Sequence, residues 1–178
     1  MSNKKSNKYN KVLKGNKKKR FRIELLIPVL ILVFGIVFII YANQNKEEKT
    51  TTGNTFVSYH KLKAKDGVVR IPVSDFNDYK ARYFRYKFPE KTVYFFGIKS
   101  TDGIIRAAFD ACDVCYRAKK GYSQQGDNMI CNNCGLSFPS NRINVEKGGC
   151  NPAPLARKVE GRNLVINVTD IYSGKKYF

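Results

Sequence analysis

The stretch DACDVCYRAKKGYSQQGDNMICNNCG, residues 110–135, decides how this chain is read. It carries two Cys-x-x-Cys pairs, Cys112/Cys115 and Cys131/Cys134, with fifteen residues between them. That spacing falls in the range of a four-thiolate metal site. Two thiolates separated by two residues can grip one side of a metal when the backbone between them turns. A second such knuckle closes the tetrahedron from the other side. Gly135 follows the last cysteine of the second pair, and glycine permits the positive φ that a tight knuckle needs there. A fifth cysteine, Cys150, lies in GGCNPAP, residues 148–154, a loop constrained by glycines and prolines. Three roles are open to it: a further ligand, a resolving thiol, or a buried apolar residue.

Disulfides are the rival use of these cysteines outside the cytoplasm. Two short bridges and a leftover thiol make an awkward framework, and no thioredoxin-like βαβ pattern surrounds either pair. The pattern therefore favours a metal, with zinc and iron both compatible. Between Cys112 and Cys150 five bases (Arg117, Lys119, Lys120, Arg142, Lys147) face three acids (Asp113, Asp127, Glu146). Such a surplus offsets the negative charge of a thiolate cluster if these side chains lean toward it, and is otherwise a solvated face.

Working outward, the sequence on both sides reads as strands. FVSYHKLKA and VVRIPV flank Lys65-Asp66-Gly67, a hairpin signal. KARYFRYKF turns through Pro89-Glu90-Lys91 into TVYFFGIK, and Ser100-Thr101-Asp102-Gly103 turns into IIRAAFD. RKVEGRNLVINV and a closing turn at Ser173-Gly174 end the chain. The expectation is a β-rich cysteine-cluster domain over 56–178, with the 23 Tyr and Phe residues serving mostly as core and cross-strand packing.

The first fifty residues are different in kind. LLIPVLILVFGIVFIIY, residues 25–41, holds seventeen residues without a charge. With its edges it approaches the ~20 residues of a membrane-spanning helix, expected over 23–42. It is apolar on every face, which argues against a core helix. Residues 1–22 contain ten Lys or Arg and no acid, so the tail stays cytoplasmic and the remainder lies outside. Ile40-Tyr41-Ala42 is a poor cleavage site, which favours an anchor over a signal peptide. Residues 43–55, polar and threonine-rich, read as a linker. The fold class expected is a mainly β extracytoplasmic domain with a knuckle-like or ribbon-like metal site of four cysteines, preceded by one transmembrane α-helix.

The formal charge of +19 follows the same division: the tail takes ten positive charges, leaving 23 Lys/Arg against 14 Asp/Glu beyond it. The tail suits anionic lipid headgroups. A nucleic-acid partner is not expected, because the cysteines face away from cytoplasmic nucleic acid. His60, the only histidine, lies far upstream of the cysteines, and no nucleophile turn is present. No catalytic residue is assigned. A metal-binding or electron-transfer component fits better than a stand-alone enzyme.

GVVRIPVSDFNDYKARYFRYKF (67–88), STDGIIRAAFDACDVCYRAKKGY (100–122), MICNNCGLSFP (129–139) and GGCNPAPL (148–155) resemble the FtrD-like family of membrane iron–sulfur proteins. The resemblance covers roughly 55–178, and the cysteine blocks are its most specific part. It implies an iron–sulfur cluster held by Cys112, Cys115, Cys131 and Cys134, with Cys150 a further ligand or redox partner and zinc the alternative metal. It also implies electron transfer linked to bacterial ferrous iron uptake. The partners implied are an iron permease and periplasmic or surface iron-binding and redox subunits. Many relatives have several membrane helices, whereas this chain has one apolar run. The rival readings are a structural zinc knuckle in a binding or scaffold module, and a thiol–disulfide redox protein.

Overall fold

The computed structural model describes Pro28 and residues 31–38, 48–52 and 55–178. The chain divides into two units, Met1–Lys46 and Glu47–Phe178. In the first, residues 31–38 are helical with exposed apolar side chains. No helix among the described residues is long and apolar enough to cross a membrane. The basic tail and most of the expected span over 23–42 lie outside the described residues.

The second unit is mainly β. Its largest sheet is built from β1 (Glu48–Thr52), β2 (Thr55–Lys61), β4 (Arg82–Lys87), β5 (Thr92–Lys99) and β6 (Ile105–Phe109), in the order β1-β2-β4-β5-β6. Residues 48–52, read from composition as linker, form β1 and pair antiparallel with β2. Threonine's branched Cβ suits a strand, so a polar run can still be a β-edge. β4, β5 and β6 form the expected meander, and β5 is central to it.

The first expected hairpin is only half present. The turn closes, with Lys65 and Val68 exchanging backbone hydrogen bonds at 2.9 and 3.2 Å. Its two strands then part. β2 runs parallel to β4, while β3 (Val68–Pro72) pairs with β11 (Asn163–Asn167), itself hairpinned to β10 (Lys158–Glu160). Leu62 and Ala64 pack on the main core between the two sheets. Burial of these apolar residues carries the chain from one sheet to the other. The closing turn expected at Ser173-Gly174 is instead the end of a short helix, α1 (Val168–Ser173), followed by a 3-10 turn.

The period-two alternation of β5 explains the layering. Val93 and Phe95 face a core shared with Val69, Ile71, Leu164, Ile166 and Ile171. Phe96 and Ile98 face the other way, onto Cys112, Tyr122, Met129 and Cys131. Phe95 and Phe96 have no exposed surface, and each contributes about 2 kcal/mol by burial. Both faces of the central strand are therefore covered. One lies against the β10-β11-β3 sheet and α1. The other lies against a third sheet that carries cysteine chemistry: β7 (Tyr122–Gln125), β8 (Asn128–Cys131) and β9 (Ser137–Pro139).

Candidate metal centre

The fifteen residues between the two Cys-x-x-Cys pairs form a bridge of defined shape. Cys115 leads into a 3-10 turn over Tyr116–Ala118, and the β7–β8 hairpin then delivers Cys131 opposite Tyr122. In the first knuckle the Cys115 N–H donates to Cys112 Sγ at 3.1 Å. In the second, Gly135 N–H donates to the Cys131 carbonyl at 2.8 Å, and Gly135 takes φ +75°. Cys131 N–H returns to the Leu136 carbonyl at 2.9 Å, which ties off the turn. Turned peptides of this kind point amide hydrogens toward the sulfurs, as a thiolate site requires.

All five cysteines carry free thiols. Their sulfurs form two groups, Cys112/Cys115/Cys131 and Cys115/Cys134/Cys150, each with every sulfur within 4.8 Å of the others. Cys115 belongs to both, and its Sγ lies 3.7 Å from that of Cys150. The first group is the inner one, since Cys112 and Cys131 are buried. The second reaches the surface through Cys134. The four sulfurs of the two pairs do not all fall within 4.8 Å of one another; Cys150 stands with the outer thiols instead.

Burial pushes the Cys131 thiol up to about 12. Desolvation, with the neighbouring Cys134 and Cys115 thiols, pushes Cys150 up to about 12. Cys134 lies below the ordinary thiol range: burial raises it, but the Leu136 backbone N–H and the surrounding thiols lower it further. Metal-free, Cys131 and Cys150 thus hold their protons at neutral pH and must release them on binding a cation.

Several residues around the thiols were not legible as site residues. Asp110, two positions before Cys112, is buried; it accepts the Tyr59 hydroxyl, and the Tyr122 N–H at 2.7 Å. Burial raises its carboxyl to about 6, against the lowering effect of both donors. The Tyr122 hydroxyl donates to the Cys150 carbonyl at 2.6 Å, so one ring joins the hairpin to the fifth-cysteine loop. Gly121 packs so closely on Asp110 that any Cβ there would enter its carboxylate. The inner thiols and Asp110 line a cavity of about 350 Å³ whose far wall is aromatic, made by Tyr59, Tyr94, Tyr116 and Phe178. From the C-terminal turn, Tyr177 donates to Asp113 at 2.8 Å and braces the first knuckle.

His60 lies exposed on β2, its ring 6.0 Å from that of Phe84, and joins neither thiol group. Of the bases counted around the cysteines, Arg142 is paired to Glu146 at 3.4 Å, and Arg117, Lys119, Lys120 and Lys147 are exposed. Lys119 also lines the cavity of the inner thiols, so at least one of these bases lies beside the sulfurs.

No curated protein and no solved structure matches the chain. The sequence pattern of one family does match, over residues 76–178, a span that contains every cysteine and most of the strands that position them. On that match the chain belongs to the FtrD-like family, membrane iron–sulfur containing proteins.

Proposed function

We propose that the chain is a membrane-anchored electron carrier whose iron–sulfur centre is held by Cys112, Cys115, Cys131 and Cys134, with Cys150 part of the same ligand set. One observation carries the reading. Five reduced thiols from three separate loops converge in a chain whose family is described as iron–sulfur containing. The donor set fits such a centre: all sulfur, unbridged, with amide hydrogens turned toward it. When bound, the centre supplies one-electron exchange.

The protein's own groups set the conditions for that exchange. The knuckle N–H groups stabilise the more negative, reduced state. Phe96, Ile98 and Ala108 of the β5–β6 layer bury Cys112 and Cys131, and Cys134 gives the centre an exposed edge. The seventeen-residue apolar run and basic tail support a single span over 23–42, with the N-terminus inside and the β domain outside. Electrons exchanged there serve iron uptake, alongside an iron permease and extracytoplasmic iron-binding or redox subunits.

The test is visible absorption and paramagnetic resonance of the full chain purified without oxygen, before and after dithionite. A charge-transfer band that bleaches, with a reduced paramagnetic signal, supports the carrier. A colourless protein holding zinc overturns it and leaves a structural metal knuckle.

A further inference from the structure

Five sulfurs are one too many for a single tetrahedral ion, and their arrangement is not that of four plus a spare. They form two triads with a common member. We propose that the site holds two metal ions, an inner one on Cys112, Cys115 and Cys131 and an outer one on Cys115, Cys134 and Cys150, with the Cys115 thiolate bridging them. This rests on the reading of the cysteines as metal ligands and goes beyond it in the number of ions and the division of ligands.

Position argues for the bridge. Cys115 is the only sulfur that belongs to both groups, and its neighbour Cys150 is 3.7 Å away. Cys115 is half-buried, between the buried Cys112 and Cys131 and the exposed Cys134. The Tyr122 hydroxyl fixes the Cys150 backbone against the hairpin, which holds the outer triad to the inner one.

Charge argues the same way. A divalent ion on four thiolates carries a net charge of about −2 and would leave Cys150 uncoordinated although its sulfur lies 3.7 Å from that of Cys115. Two divalent ions on five thiolates carry about −1, spread over two centres. Each sulfur binds as thiolate, any proton it carried going to solvent, and no oxidation state changes. With two of the sulfurs buried, the arrangement of lower net charge costs less to desolvate. The two positions differ in access: the inner faces the 350 Å³ cavity, whereas the outer opens to solvent beside Cys134. The outer ion should therefore exchange with chelators first.

The experiment titrates the full chain, reduced and stripped of metal in detergent, with ¹¹³Cd²⁺, following bound cadmium by mass and by ¹¹³Cd NMR. The expected result is two ions per chain and two resonances, mutually split by coupling through the shared sulfur. Cys150→Ala should hold one ion and keep the inner resonance. Cys115→Ala should lose the coupling and hold one ion at most. A single cadmium per wild-type chain, or two resonances without coupling, overturns the proposal. The wild-type spectrum decides even if a variant fails to fold. Iron and acid-labile sulfide in the protein as isolated report separately on the electron-carrier reading, so the two can fail independently.

Discussion

Replacing Gly121 by alanine tests how the buried carboxylate and the cysteine hairpin are fitted together. Gly121 has φ +60°, and a left-handed non-glycine residue costs about 1–2 kcal/mol. A Cβ there would also meet the carboxylate of Asp110, which cannot retreat: the Tyr59 hydroxyl and the Tyr122 N–H hold it, and it is buried. Overpacking of this kind adds about 1–3 kcal/mol. Gly126, in the turn of the same hairpin, has nearly the same φ, +59°, but nothing within 4 Å of a Cβ built on it. Gly126→Ala therefore carries only the backbone cost, and the change in unfolded-chain entropy is common to both. The difference between the two variants isolates the carboxylate contact, at about 1–3 kcal/mol. For a domain of this size that is roughly 4–12 °C in Tm. Thermal unfolding of the metal-free full chain, followed by circular dichroism, reads it directly. Equal Tm losses for the two alanines would refute the packing of Gly121 on Asp110.

Three further outcomes follow from the same geometry. Asp110 has a native carboxyl near 6 against an ordinary 3.8, so the fold favours its protonated form; metal-free stability should fall as pH rises from about 4 to 6, by on the order of 3 kcal/mol, and level off above. Urea midpoints across that window check the sign, and Asp110→Asn should remove this contribution. Tyr122→Phe strands the Cys150 carbonyl and should cost about 1–3 kcal/mol in urea unfolding, with faster alkylation of Cys150 by iodoacetamide. Because Cys131 and Cys150 both sit near 12, zinc or cadmium affinity should rise with pH through neutrality as fewer protons compete; a flat profile between about pH 6 and 8 would contradict protonated thiols.

The parts of this molecule that obey local rules are legible in its sequence. The meander from Arg82 to Phe109 follows from alternation and turn residues, and the two knuckles follow from Cys-x-x-Cys spacing with Gly135 at the positive-φ position. What escapes is non-local. Nothing near Lys65–Val68 says that the strands on either side join different sheets, because that choice is made by β11, almost a hundred residues later. The threonines at 50–52 are polar enough for a linker and branched enough for a strand, and only pairing with β2 decides between them. Asp110 and Gly121 carry no signal of their own, because their roles depend on contact with each other and with Tyr59, which comes from β2, three strands away from β6 in the sheet. Cys150 is visible as a cysteine but not as a member of the outer thiol group, since a separation of 35 residues carries no geometry.

X-ray absorption at the metal edge, on the full chain isolated without oxygen, bears most directly on the claim that these thiols surround an inorganic centre. The expected result is iron whose nearest neighbours are sulfur, with another metal just beyond them. Nearest neighbours of oxygen and nitrogen, or a preparation without metal whose cysteines are joined as disulfides, would contradict it.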